Sequence, residues 1–125
     1  IDMTIPYAAG SLYSTIEDLY LWDRALHAKK MLSEAAFAEM YTPFHNNYAY
    51  GWGVTTMTIP GSSDSTRVHS HSGGIFGFGT RIVRFVDDDH LLVLLSNSPS
   101  LELQLIIQQI VAAMYEKPIP TKPAS

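Results

Sequence analysis

With 125 residues, 46% of them hydrophobic, the chain has enough apolar material for one compact core and too little for two. A formal charge of -4 and only eight scattered Lys and Arg exclude a basic stripe, and with it a nucleic-acid partner. Zero cysteines rule out a disulfide framework and a thiolate zinc site without fixing a compartment.

Residues 1–13 read as loop and short extended structure, broken at Pro6 and Gly10. The first residue, Ile rather than Met, sets the expectation that the natural start lies upstream. Ser14-Thr15-Ile16-Glu17 has the form of a capping box, with the Ser14 hydroxyl accepting from the Glu17 amide. The helix it opens is expected to reach about Ala28. Its spacing turns Ile16, Leu19, Tyr20, Ala25 and Leu26 inward and leaves Glu17, Asp18 and Asp23 to water. Lys29 and Lys30 complement its macrodipole. A second helix is expected from Ser33 through Phe37 and Met40, stopping before Pro43.

Residues 48–59 are aromatic and β-branched and read as a strand bent at Gly51 and Gly53. Pro60-Gly61-Ser62-Ser63-Asp64 is a turn, followed by strands over 66–71, 79–86 and 91–96. Asp87-Asp88-Asp89-His90 joins the last two as an antiparallel hairpin. Residues 91–95 are apolar at every position, which predicts a central strand covered by helices on both faces. Residues 101–115 form an amphipathic helix with Leu101, Leu105, Ile106, Ile110, Val111 and Met114 inward, ended by Pro118-Ile119-Pro120. No apolar run approaches the roughly 20 residues that span a bilayer. The order helix, helix, four strands, helix predicts an α+β fold, an antiparallel sheet flanked by helices. One domain is expected over 1–117 and a tail over 118–125, with some sheet surface awaiting strands from elsewhere.

His71-Ser72-Gly73-Gly74 carries the candidate chemistry. Two glycines beside an imidazole and a hydroxyl let a ligand approach bare backbone amides, which suits oxyanion recognition. On local sequence alone, a Gly-Gly pair after a strand is more often a turn, and a strand imidazole more often a hydrogen-bonded surface group. His69 and His71 share a strand face and, with His90, suggest a zinc site. No fourth ligand has the required spacing, so ordinary polar strand positions are the better reading, and neither a metal nor a cofactor is expected. The three consecutive aspartates lack the alternation of a calcium loop and read as a solvated turn. Trp22 and Trp52 read as packing residues, while Tyr50 with Trp52 is the pair that could flank a substrate groove.

Four segments in fixed order carry a family resemblance. They are Ala8-Ala9-Gly10-Ser11-Leu12-Tyr13-Ser14-Thr15 with Glu17-Asp18-Leu19, and Tyr50-Gly51-Trp52-Gly53-Val54. His71-Ser72-Gly73-Gly74-Ile75-Phe76-Gly77-Phe78 and Leu94-Leu95-Ser96-Asn97 complete the set. Together, over residues 8–115, they resemble the C-terminal part of the serine β-lactamase and penicillin-binding-protein superfamily. The likeness is nearest to class C β-lactamases, their esterase relatives and D-alanyl-D-alanine carboxypeptidase-like proteins. The resemblance implies that His71, Ser72 and Gly73 stand where the family has its Lys-Thr-Gly triplet, and that Gly74 offers an oxyanion amide. It implies a substrate with an ester, amide or β-lactam carbonyl and, in the family's usual case, a periplasmic or extracellular location.

The chain departs from the family at its nucleophile. No serine has Lys three positions later, and no Tyr-x-Asn or Tyr-x-Ser occurs; Tyr13-Ser14-Thr15 and Tyr41-Thr42-Pro43 do not fit. Both motifs lie upstream of this region in the family. The expectation is therefore a C-terminal segment, inactive alone and partnered by the missing N-terminal part of the same protein. A second reading is a non-catalytic binding or dimerisation module built on the same sheet, for which a homodimer is the expected partner. A His-based metal protein is the third.

Overall fold

Four stretches rich in β-branched and apolar residues form one antiparallel sheet in a computed structural model that describes residue 2, residues 5–98 and residues 102–121. The strands β1 (Gly53–Thr58), β2 (Ser65–Ile75), β3 (Phe78–Phe85) and β4 (His90–Ser96) lie in that order. Helices α1 (Ile16–His27) and α2 (Glu34–Met40) precede them, and α3 (Leu103–Met114) follows. The α+β architecture is as expected from the order of elements. Leu101, expected in the last helix, and residues 122–125 of the expected tail lie outside the described residues.

The registers sort the two faces. Val68 opposes Phe85 and Val83 opposes Leu92, so these four share one face, which α3 covers. There Val68, Val83, Phe85 and Leu92 meet Ile107 and Val111, with Met57, Leu94, Ile110, Met114 and Tyr115 packed around them. His69, Arg84 and Leu91 form a row across the opposite face, and His71, Ile82 and Val93 form the next. Helix α1 lies against that face, in contact with β4. Ile107 and Ala112 are buried although the sequence pattern selected Leu105 and Ile106, which are only half-buried.

Several boundaries differ from expectation for physical reasons. Thr15, not Ser14, caps α1: its side chain accepts from the Asp18 amide at 3.1 Å, one position later than the expected box. Ile16 and Tyr20, expected inward, are more than half exposed, and Asp23, expected in water, is buried against Arg84. Ser33 caps α2 as expected, accepting from the Ala36 amide at 3.2 Å. The expected strand over 48–59 begins only at Gly53, because Gly51 takes φ of 77° and the Ala49 amide donates to the Trp52 carbonyl at 2.7 Å, which folds 49–52 into a turn. Strand β2 does not close at His71. It runs through both glycines to Ile75, and the chain reverses at Phe76 and Gly77, where Gly77 takes φ of 85°. Among the described strands β4 lies at the edge of the sheet rather than at its centre. Its apolar run is explained by helices on both faces, α3 over Leu92 and Leu94 and α1 beside Leu91 and Val93.

The aspartate turn does more than solvate a hairpin. Asp87 accepts from the Arg67 amide and guanidinium, Asp88 from the Tyr115 hydroxyl, and Asp89 from Arg24 and Arg84. Each carboxylate thereby ties the β3–β4 connection to a different element.

Candidate active site

The geometry of the tetrapeptide follows from unequal strand lengths. Strand β1 pairs with β2 only from Ser65 to Ser70, whereas β3 pairs from Val68 to Ile75. Residues 71–75 therefore have a neighbour on the β3 side and none on the β1 side among the described strands. His71, Ser72, Gly73 and Gly74 are all solvent-exposed. Beyond a strand end of this kind, backbone amides stay held by one ladder while the other edge faces outward.

The two glycines differ. A Cβ on Gly73 would collide with the Thr80 hydroxyl across the ladder, whereas a Cβ on Gly74 would meet nothing within 4 Å. Gly73 thus leaves room for a cross-strand neighbour, and Gly74 is bare. Gly73→Ala is expected to cost about 1–3 kcal/mol of stability through overpacking, and Gly74→Ala less than about 0.5 kcal/mol. Urea unfolding of both variants checks this; equal costs would contradict the geometry.

Alternation sends the side chains to opposite faces. His71 lies on the α1 face, where its Nε2 is 2.9 Å from the Tyr48 hydroxyl. Ser72 lies on the α3 face directly opposite Arg81, whose guanidinium donates to the Ser70 hydroxyl at 3.5 Å. Neither Tyr48 nor Arg81 stood out in the sequence. The paired asparagines at 46 and 47 were the available signal for Tyr48, because they demand a tight turn.

Of the two groove residues expected, Tyr50 is exposed and donates to Glu39 at 3.3 Å. Trp52 is 5% exposed and stacks on Trp22 at 5.9 Å, with Tyr41 at 5.7 Å on its ring. Its ring serves the interior. An open groove of about 480 Å³ lies elsewhere on the α1 face, lined by Ile16, Glu17, Tyr20, Leu21, Leu91 and Val93. Val93 is two strands from His71 in the same row, about 10 Å across the sheet.

Beneath the site lies a polar cluster that sequence reasoning missed. Asp23, 1% exposed, accepts from Arg84 at 2.9 Å; Arg84 is itself 3% exposed. His27 Nδ1 lies 3.3 Å from the same carboxylate. Burial pushes the Arg84 guanidinium down, with Asp23 opposing. The Tyr41 phenol is pushed up to about 12, first by burial and then by Asp23. Next to it the His69 imidazole stacks on Tyr41 at 4.0 Å and is lowered to about 4, chiefly by burial and then by His27, Arg67 and Arg84.

That depression has a pH consequence. The His69 ring is neutral in the fold down to about 4, while the unfolded chain protonates it near 6.5. Between these values the unfolded state binds more protons, so this contribution is complete above 6.5 and is lost as pH falls toward 4. After discounting for partial exposure, the loss is on the order of 2 kcal/mol. Urea unfolding at pH 7 and pH 4.5 should show a larger drop for the wild type than for His69→Phe. Parallel drops would show that the ring does not carry the effect.

Over 94 residues the chain is 31% identical to penicillin-binding protein 4* of Bacillus subtilis (strain 168), a span that is 70% of the chain and 20% of that protein. The similarity points to the penicillin-binding-protein and β-lactamase superfamily. The chain spans about a fifth of the length of the curated relative it matches. No family model matches the chain, and no solved structure does.

Against the remaining site classes the geometry is plain. His90 opposes Phe85 and so lies on the α3 face, away from His69 and His71, which removes the three-histidine zinc reading. Among the described residues no three His, Cys, Asp or Glu side chains converge as metal ligands. No helix among them is long and apolar enough to cross a membrane.

Proposed function

We propose that the chain is the C-terminal segment of a serine hydrolase of β-lactamase, D,D-peptidase or esterase type, acting through an acyl-enzyme on an ester, amide or β-lactam carbonyl. One observation carries this reading: residues 71–75 extend beyond the β1 partner with an exposed, one-sided backbone edge. The similarity to a penicillin-binding protein supports it.

In this reading the Gly74 amide faces the oxygen on which negative charge develops. A donor held by a strand needs no reorganisation as that charge forms, and one such donor lowers the barrier by about 3 kcal/mol. The His71 imidazole holds a substrate carboxylate or assists proton transfer, and Ser72 presents a hydroxyl. Gly73 belongs to the same wall. The attacking Ser-x-x-Lys serine comes from outside residues 1–125. A periplasmic or extracellular location accompanies the reading.

The test is covalent labelling. The longer polypeptide of the natural reading frame, incubated with penicillin or a fluorophosphonate, should gain one adduct mass, and the 125-residue chain none. A folded longer polypeptide that takes up neither probe would overturn the proposal.

The open apolar groove beside β4 favours the second reading, a binding or dimerisation module. Sedimentation of the chain, alone and with Leu21→Lys in the groove wall, tests it. Concentration-dependent association abolished by the charge supports the module; a monomer throughout excludes self-association.

A further inference from the structure

We infer that Tyr48 is the positioning residue of His71, locking its ring in the tautomer that carries the proton on Nδ1. As to what the pair does, this rests on the hydrolase reading above; as to the tautomer, it stands alone.

The contact is built by backbone, not by two free side chains meeting. Asn46 and Asn47, both at positive φ, occupy the central positions of a type I′ turn that closes with the Tyr48 amide donating to the His45 carbonyl at 2.7 Å. The Tyr48 carbonyl accepts from the Phe44 amide at 3.1 Å, and Tyr48 bridges to Gly53 at the start of β1. His71 is held by its place in β2 opposite Ile82. Two anchored backbones thus bring the phenol oxygen to 2.9 Å from Nε2.

A phenol is a better donor than acceptor, and the unprotonated imidazole nitrogen is the strongest neutral acceptor a side chain offers. The hydroxyl therefore donates, and Nε2 must hold its lone pair toward it. A neutral ring in that position carries its hydrogen on Nδ1. In an unconstrained histidine the other tautomer predominates, so the tyrosine reverses an intrinsic preference.

Two consequences follow for the site. The ring's free edge is a donor, Nδ1–H, fit for a carboxylate or carbonyl oxygen. Its basic nitrogen reaches a substrate only through the Tyr48 oxygen. A hydroxyl placed against that oxygen would pass its proton to the phenol as the phenol's own proton moves to Nε2. Two O–H bonds break, one O–H re-forms on the tyrosine and one N–H forms on the ring, and the positive charge rests on the imidazolium. The electron pair left on the hydroxyl oxygen goes into its bond to the substrate carbonyl carbon, so the negative charge falls on the carbonyl oxygen.

Nitrogen-15 spectra of the histidine rings at pH 8 test this on the protein itself. The wild type should show His71 Nδ1 protonated and Nε2 bare as the major form, and Tyr48→Phe should reverse the assignment. The Ile82 amide shift, reporting the β2–β3 ladder, should not move. A wild-type ring protonated mainly on Nε2 would overturn the inference without any variant, as would an unchanged tautomer in a folded Tyr48→Phe. If the tautomer is as stated and no acyl adduct ever forms, the hydrolase reading fails and the positioning role survives. In a longer polypeptide that does acylate, Tyr48→Phe should lower kcat with KM nearly unchanged, and a purely structural tyrosine would not produce that split.

Discussion

Replacing Asp23 by Ala is expected to destabilise the protein by about 3–5 kcal/mol, because it strands a buried guanidinium. Arg84 is 3% exposed and loses its interior partner, keeping only Asp89 at the exposed β3–β4 turn. A domain of this size has roughly 5–15 kcal/mol in total, so the urea midpoint should fall by about a fifth or more. The double replacement Asp23→Leu with Arg84→Met should recover most of the loss, since an apolar pair of similar volume removes the desolvation cost along with the attraction. A single-variant cost below about 1 kcal/mol would mean that water reaches the pair.

Phe85→Ala should cost about 3–5 kcal/mol by a different route. Phe85 is fully buried on the α3 face among Val68, Val83, Leu92, Ile107 and Val111. Truncation removes apolar contact and leaves a cavity that strands held by ladders on both sides cannot close. Leu95→Ala on β4, where the side chain is 42% exposed, should cost less than about 1 kcal/mol. Thermal or urea melts of the two variants separate them. Similar costs would place the core elsewhere.

The two replacements also show what a sequence can and cannot say. The strand that carries Phe85 was expected over 79–86, and α2 from Ser33 with Glu34 in its first turn. Asp23 does not. Its inward turn makes sense only once Arg84, 61 positions away, is opposite it. The end of β2 was misread because glycine weakens a strand, and two in a row read as its stop. Across the ladder the Thr80 hydroxyl occupies the space that a side chain on Gly73 would need. For β4, an unbroken apolar run reports cover on both faces and says nothing about neighbours in the plane of the sheet. The candidate site was legible to the same degree. The four residues of the tetrapeptide could be named from type and order, but the short β1 that leaves their edge open could not. Nor could Tyr48, whose role depends on a turn closing onto a strand 23 positions further on.

The exposed amide of Gly74, beyond the end of β1, is the point on which the functional account turns. A crystal structure of the longer polypeptide acylated by penicillin measures it directly. The account predicts the acyl carbonyl oxygen at about 2.7–3.1 Å from the Gly74 nitrogen, with His71 lining the same cleft. An acyl group held by other amides, with residues 71–75 facing bulk water on the far side of the sheet, would contradict it.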